Sequence, residues 1–138
     1  SHLVFVVTMV VLVYVCVVYM HTIVIREPLR PVMEQMKQRY VDVLPIHVTA
    51  TAKDAWMYYN HRFNIGPSNV TYSSWNYKGM VKDIDMIQVP TWLVFSHITD
   101  SVLKSYLDEV HSKGRIVEDI VIPSYPTTRA ILFMPNAD

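Results

Sequence analysis

The chain has 138 residues, with 12 basic and 12 acidic side chains and a formal net charge of zero. That balance excludes a polybasic nucleic-acid binder and a charged trap for acidic substrates. One cysteine, Cys16, excludes an internal disulfide framework.

No Lys, Arg, Asp or Glu precedes Arg26, so every such charge lies beyond an apolar N-terminal run. That run, "LVFVVTMVVLVYVCVVYMHTIVI", predicts a single transmembrane helix over residues 1–25. As a helix it spans about 34 Å at roughly 1.5 Å per residue, against a hydrocarbon core of about 30 Å. No Gly, Pro, Asn or Asp supplies a turn within it. It is too long for the apolar region of a signal peptide, and no basic stretch leads into it. Cys16 reads as a packing residue without a cation to activate it, and His21 as an interfacial residue. Arg26, Arg30, Lys37 and Arg39 come after the run, so the charge bias places the remainder on the cytosolic or matrix side.

Residues 26–45 read as an amphipathic connector. Pro28 and Pro31 interrupt the first helix, and Val32, Met33, Met36, Tyr40 and Val43 then form an apolar stripe ending before Pro45. Three supports are open to that stripe: the globular domain after it, a membrane surface or a partner.

From residue 46 the pattern becomes α+β. "IHVTAT" reads as a strand, and "AKDAWMYYNHRF" as a helix with Ala52, Ala55, Trp56, Tyr59 and Phe63 on one face. "IGPSN" reads as a turn, and "VTYSSWNYKG" and "DIDMIQV" as strands. "TWLVFSHIT" opens a second round as a strand. Asp100 is placed as the N-cap of "SVLKSYLDEVHSK", whose buried face is Val102, Leu103, Tyr106, Leu107 and Val110. Gly114 comes next as a left-handed cap, then "RIVEDIVI" and "RAILFM" are strands. The order strand–helix–strands occurs twice, over modules at about 46–89 and 90–138.

The stretch "VPTWLVFSHITDSVLKSYLDEVHSKGRIVEDIVIPSYPTTRAILFMPNAD" resembles the second module of the vicinal oxygen chelate family, which includes glyoxalase I, bleomycin-resistance proteins and extradiol dioxygenases. "TAKDAWMYYNHRFNI" is similar to the helix of the first module. The resemblance implies paired βαβββ modules enclosing a cleft over residues 46–138, with the last strand of the pattern lying beyond "PNAD". It also implies a divalent metal held by ligands on the first and last strands of each module. Carried onto this chain, it marks His47 and Gln88 as metal ligands of a vestigial site. Thr91 and Trp92 stand at the equivalent position of the second module and are not usual ligands. Met134 and Ala137 replace the family's usual Asp and Gly near its terminal turn.

Other candidates have plainer readings. His97 shares an alternating face with Leu93, Phe95 and Thr99, and is either a cleft residue or a hydrogen-bonded structural histidine. His61 and His111 read as members of solvated helix faces. Asn69 begins an "NVT" glycosylation pattern that the expected topology leaves unused. No nucleophile triad, phosphate loop or paired-cysteine motif is visible.

These readings converge on a membrane-anchored, non-catalytic glyoxalase-like domain serving as an accessory subunit of a larger membrane complex, with no cofactor. The expected partners are membrane lipid and other subunits, with no nucleic acid, met through the first helix and through Tyr72, Trp75, Tyr77 and Tyr125. The mitochondrial inner membrane suits this arrangement, with the domain on the matrix side and a respiratory-chain complex as the assembly. One alternative is a tethered metal-dependent lyase, isomerase or dioxygenase using His47, Gln88 and a glutamate beyond Asp138. The other is a metal-free small-molecule binding module.

Overall fold

The computed structural model describes residues 2–25, 28–39, 44–64, 69–74, 76–124 and 127–137. Helices α1 (His2–Ile25) and α2 (Leu29–Lys37) come first. After them come strand β1 (Ile46–Val48), a 3-10 turn (Ala50–Ala52), helix α3 (Lys53–Phe63), strand β2 (Val70–Tyr72) and helix α4 (Tyr77–Asp85). Strand β3 (Thr91–Phe95), helix α5 (Asp100–Lys113), and strands β4 (Gly114–Ile122) and β5 (Thr128–Pro135) complete the order.

The five strands form one mixed sheet in the order β2-β1-β3-β5-β4. β1 runs parallel to both β2 and β3, and β5 is antiparallel to β3 and β4. The α+β character matches the sequence reading, but the paired βαβββ modules do not occur. Strands assigned to two separate modules share a single ladder, with His47 opposite both Thr71 and Leu93. Repetition of strand–helix–strands in the sequence sets element order. It leaves open whether the two rounds pair as modules or merge into one sheet, and long-range backbone pairing decides that here.

The sheet lies between two helical layers. Against one face pack Leu29, Val32, Met33 and Met36 of α2 with Trp56 and Tyr59 of α3, over Ile46, Val48, Trp92, Val94, Ile120 and Ala130. Against the other lie Met80 and Ile84 of α4 with Leu103, Tyr106 and Val110 of α5, over Leu93, Phe95, Ile131 and Phe133. β3 is buried along its whole length because it supplies alternate side chains to both cores. In β4 the ladder shifts between Ile116 and Glu118. The extra residue reverses the pleat, so Ile116 packs on the α4/α5 face while Ile120 and Ile122 pack on the α2/α3 face.

The apolar stripe of the connector therefore rests on the domain. Leu29, Val32, Met33 and Met36 are all buried, and Arg39 Nη1 donates to Glu118 Oε2 at 3.0 Å to tie the end of this segment to β4. Tyr40 and Val43 lie outside the described residues, as does Gly66 of the expected turn.

Among the described residues no helix is long and apolar enough to cross a membrane, which corrects the transmembrane reading of residues 1–25. α1 is continuous from His2 to Ile25, but apart from His2 its described side chains run only from residue 4 to residue 18. The described large apolar side chains of α1 are 44–69% exposed, on every side of the helix. Cys16 is exposed with them instead of packed. The Thr8 hydroxyl is satisfied within the helix by the Val4 carbonyl at 2.8 Å.

Three local readings also change. "DIDMIQV" is not a strand, because residues 77–85 form α4, capped by the Asn76 side chain accepting from Gly79 N at 2.7 Å. Asp100 is the first residue of α5, with Thr99 at the cap, so its carboxylate meets the helix dipole from inside the first turn. Gly114 is extended, not left-handed. Its need for glycine is steric: a Cβ there would meet the Met134 carbonyl, the Phe133 ring and Pro135 Cα where α5 turns directly into β4. Gly114→Ala is expected to cost about 1–3 kcal/mol, the usual range for overpacking, read as a lowered urea midpoint. An unchanged midpoint would mean that the β4–β5 contact opens without cost.

Candidate functional site

β1 delivers alternating side chains, so Ile46 and Val48 enter the α2/α3 core while His47 projects toward α4. His47 is only 7% exposed. Its Nδ1 is 2.8 Å from Thr71 Oγ1 on the adjacent strand β2. Its Nε2 is buried without a hydrogen-bond partner among the described residues and lies 3.7 Å from Asp83 Oδ2 on α4. Asp83 Oδ2 also accepts from Ser74 N at 3.3 Å.

These groups line one pocket of about 410 Å³, together with Pro45, Tyr72, Met86, Ile87, Gln88, Val89 and Thr91. The structure thus brings together His47 and Gln88, the two residues singled out as ligands. Among the described residues no group of three His, Cys, Asp or Glu side chains is placed to hold a metal ion. Thr91 donates instead to the Val89 carbonyl at 2.8 Å, and Trp92 is sealed in the core.

Burial pushes the His47 imidazole below its ordinary value, and the Asp83 carboxylate opposes that shift without cancelling it. The same carboxylate joins burial in pushing the Tyr106 phenol far above its ordinary range. The Tyr106 hydroxyl is itself buried without a partner among the described residues. Asp83 thus acts electrostatically on both His47 and Tyr106.

The His47 shift makes stability depend on pH. A histidine depressed in the fold resists protonation, so the unfolded chain takes up its proton first. The stability it contributes is full above the unfolded value, about pH 6.5, and is lost as pH falls from there toward the folded value. Urea midpoints compared at about pH 7.5 and about pH 5 are expected to drop on the acid side, and less so in His47→Gln. An identical acid-side drop in His47→Gln would assign it to another group.

Sequence reasoning missed Asp83, Thr71 and Tyr106. The signal for Asp83 lay in Met80 and Ile84, apolar residues at helical spacing after Asn76, a strong N-capping residue type. Thr71 carried no separate signal, since its partnership depends on β1 and β2 lying side by side.

The remaining candidates are dispersed. β3 ends at Phe95, so alternation does not carry through to His97. His97 takes a left-handed conformation with φ 55° and is exposed, its Nδ1 3.0 Å from Ser96 Oγ. It lines a second pocket of about 310 Å³ with Thr49, Thr51, Ser74, Met80 and Thr99, at the carboxyl ends of β1, β2 and β3. His61 and His111 are exposed on α3 and α5. Asn69 is exposed, and its carbonyl accepts from Ile46 N at 3.0 Å. The side chains of His21 and Tyr77, and residues Trp75 and Tyr125, lie outside the described residues, whereas Tyr72 is partly exposed at the pocket. No protein-family model, curated protein or solved structure matches this chain.

Proposed function

We propose that this chain is a non-catalytic accessory module of a larger assembly, joined to it through α1. The observation that carries this reading is the apolar surface of α1, exposed around its whole circumference from residue 4 to residue 18. A helix that is apolar on all sides is stable only inside an apolar environment. Neither core of the domain includes a described residue of α1, so the described residues do not supply that environment. Each fully covered Val, Leu, Phe or Met side chain contributes about 1.5–3 kcal/mol. Covering even half of this surface yields on the order of 10 kcal/mol, comparable with the cost of association.

The sheet domain supports the same reading from the other side. Its two cores pack on opposite faces of the sheet, and α2 already contributes to one of them. Among the described residues, α1 carries the longest run of uncovered apolar side chains.

Sedimentation of the full chain and of a chain lacking residues 1–27 tests this. In water the full chain is expected to self-associate or to need a dispersing agent, while the shortened chain runs as a monomer. A full chain that sediments as a stable monomer in plain buffer would overturn the proposal.

A further inference from the structure

We propose that the pocket between β1 and α4 binds a small neutral molecule with an alcohol hydroxyl on a compact apolar body, the hydroxyl bridging His47 Nε2 and Asp83 Oδ2. Thr71 Oγ1 lies 2.8 Å from His47 Nδ1 and 3.5 Å from the Ile46 carbonyl. With Thr71 donating to Nδ1, the ring proton resides on Nε2.

Nε2 then presents a donor 3.7 Å from a carboxylate oxygen, beyond direct hydrogen-bond reach. Burial favours the neutral ring, which makes no ion pair across that gap. A buried donor left unpaired costs about 1–3 kcal/mol, and a single oxygen set between the two groups satisfies both. That oxygen must accept from Nε2 and donate to Asp83. A hydroxyl does both. An anion is repelled by Asp83, an ammonium group cannot accept from Nε2, and an ether cannot donate to the carboxylate.

The rest of the lining gives the ligand its body. Pro45, Met86, Ile87 and Val89 form an apolar wall, with Met86 77% and Val89 53% exposed, so apolar surface at the mouth is available to be covered. A volume of about 410 Å³ lies within the usual range of small-molecule sites. Polar groups converging at one end of an otherwise apolar recess are the common design of such sites.

The test uses the full chain, dispersed in a non-denaturing detergent, with the His47 ring followed by NMR. Benzyl alcohol is titrated against benzyl methyl ether, which keeps the body and the acceptor but lacks the donor. The alcohol is expected to move the His47 ring signals saturably, with the ether at least about tenfold weaker. Asp83→Asn, an isosteric change at a partly exposed position, is expected to weaken the alcohol by about tenfold. Its folding is confirmed by an unchanged circular dichroism spectrum. The proposal is overturned by the absence of a saturable His47 shift, by equal binding of the ether, or by undiminished binding to folded Asp83→Asn.

Discussion

A Met33→Asp chain is expected not to reach the native fold. Met33 is fully buried between α2 and the sheet, in one apolar cluster with Leu29, Val32, Met36, Trp56 and Trp92. Removing its side chain from such a site costs about 2–5 kcal/mol. The carboxylate adds the penalty of an unpaired charge in an apolar core, which forces either protonation or unfolding. Together these approach the whole stability of an ordinary domain, about 5–15 kcal/mol. The volume-conserving Met33→Leu is expected to stay within about 1.5 kcal/mol of the parent. Amide dispersion in a proton–nitrogen correlation spectrum separates the outcomes. A folded Met33→Asp chain would mean that α2 is not part of the core, and that the domain begins after it.

The second large effect centres on Trp92. It lies at the middle of the sheet, opposite Ile46 on β1 and Leu132 on β5, and no part of it reaches solvent. Trp92→Ala is expected to destabilise by about 3–5 kcal/mol through loss of apolar contact and the cavity left behind. Trp92→Phe is a sharper comparison. The indole Nε1 is buried with no partner among the described residues, so phenylalanine removes an unpaired donor along with part of the ring. Those changes oppose each other, and a net cost of no more than about 1.5 kcal/mol is expected. Equal losses for the two variants, measured by denaturant titration, would show that the indole nitrogen does have a partner.

Much of the architecture was legible where a single periodicity was present. "TWLVF" reads as a fully buried strand because every side chain is apolar or β-branched, and β3 is the central strand serving two cores. The stripe Val32, Met33 and Met36 reads as a helix face, and α2 carries it. Residues 77–85 mislead because two periods compete there. Asp83, Ile84, Asp85 and Met86 alternate as a strand would, while Met80 and Ile84 recur at helical spacing. Gly79 weakens the helix signal further, yet a Cβ at that position would clash with Ser74, so close packing accounts for glycine inside α4.

That one ambiguity hides half of the site. His47 and Gln88 are marked only through the family resemblance. Asp83 gains meaning only once α4 exists and lies across β1, and Thr71 only once β2 pairs beside it. The topology is hidden for the same reason. Local composition specifies strands and helices, whereas parallel pairing of β1 with β2 and β3 depends on contacts more than twenty residues apart in sequence.

For the assembly itself, Cys16 offers a direct reporter. It is the chain's single cysteine and stands exposed on α1, among the side chains proposed to be covered. The decisive measurement is the rate at which a water-soluble maleimide labels Cys16 in the protein's native source, before and after denaturation. Protection in the native source, with full labelling once the assembly is dismantled, is the predicted result. Native labelling as fast as in the denatured chain would show α1 bathed in water and contradict the account.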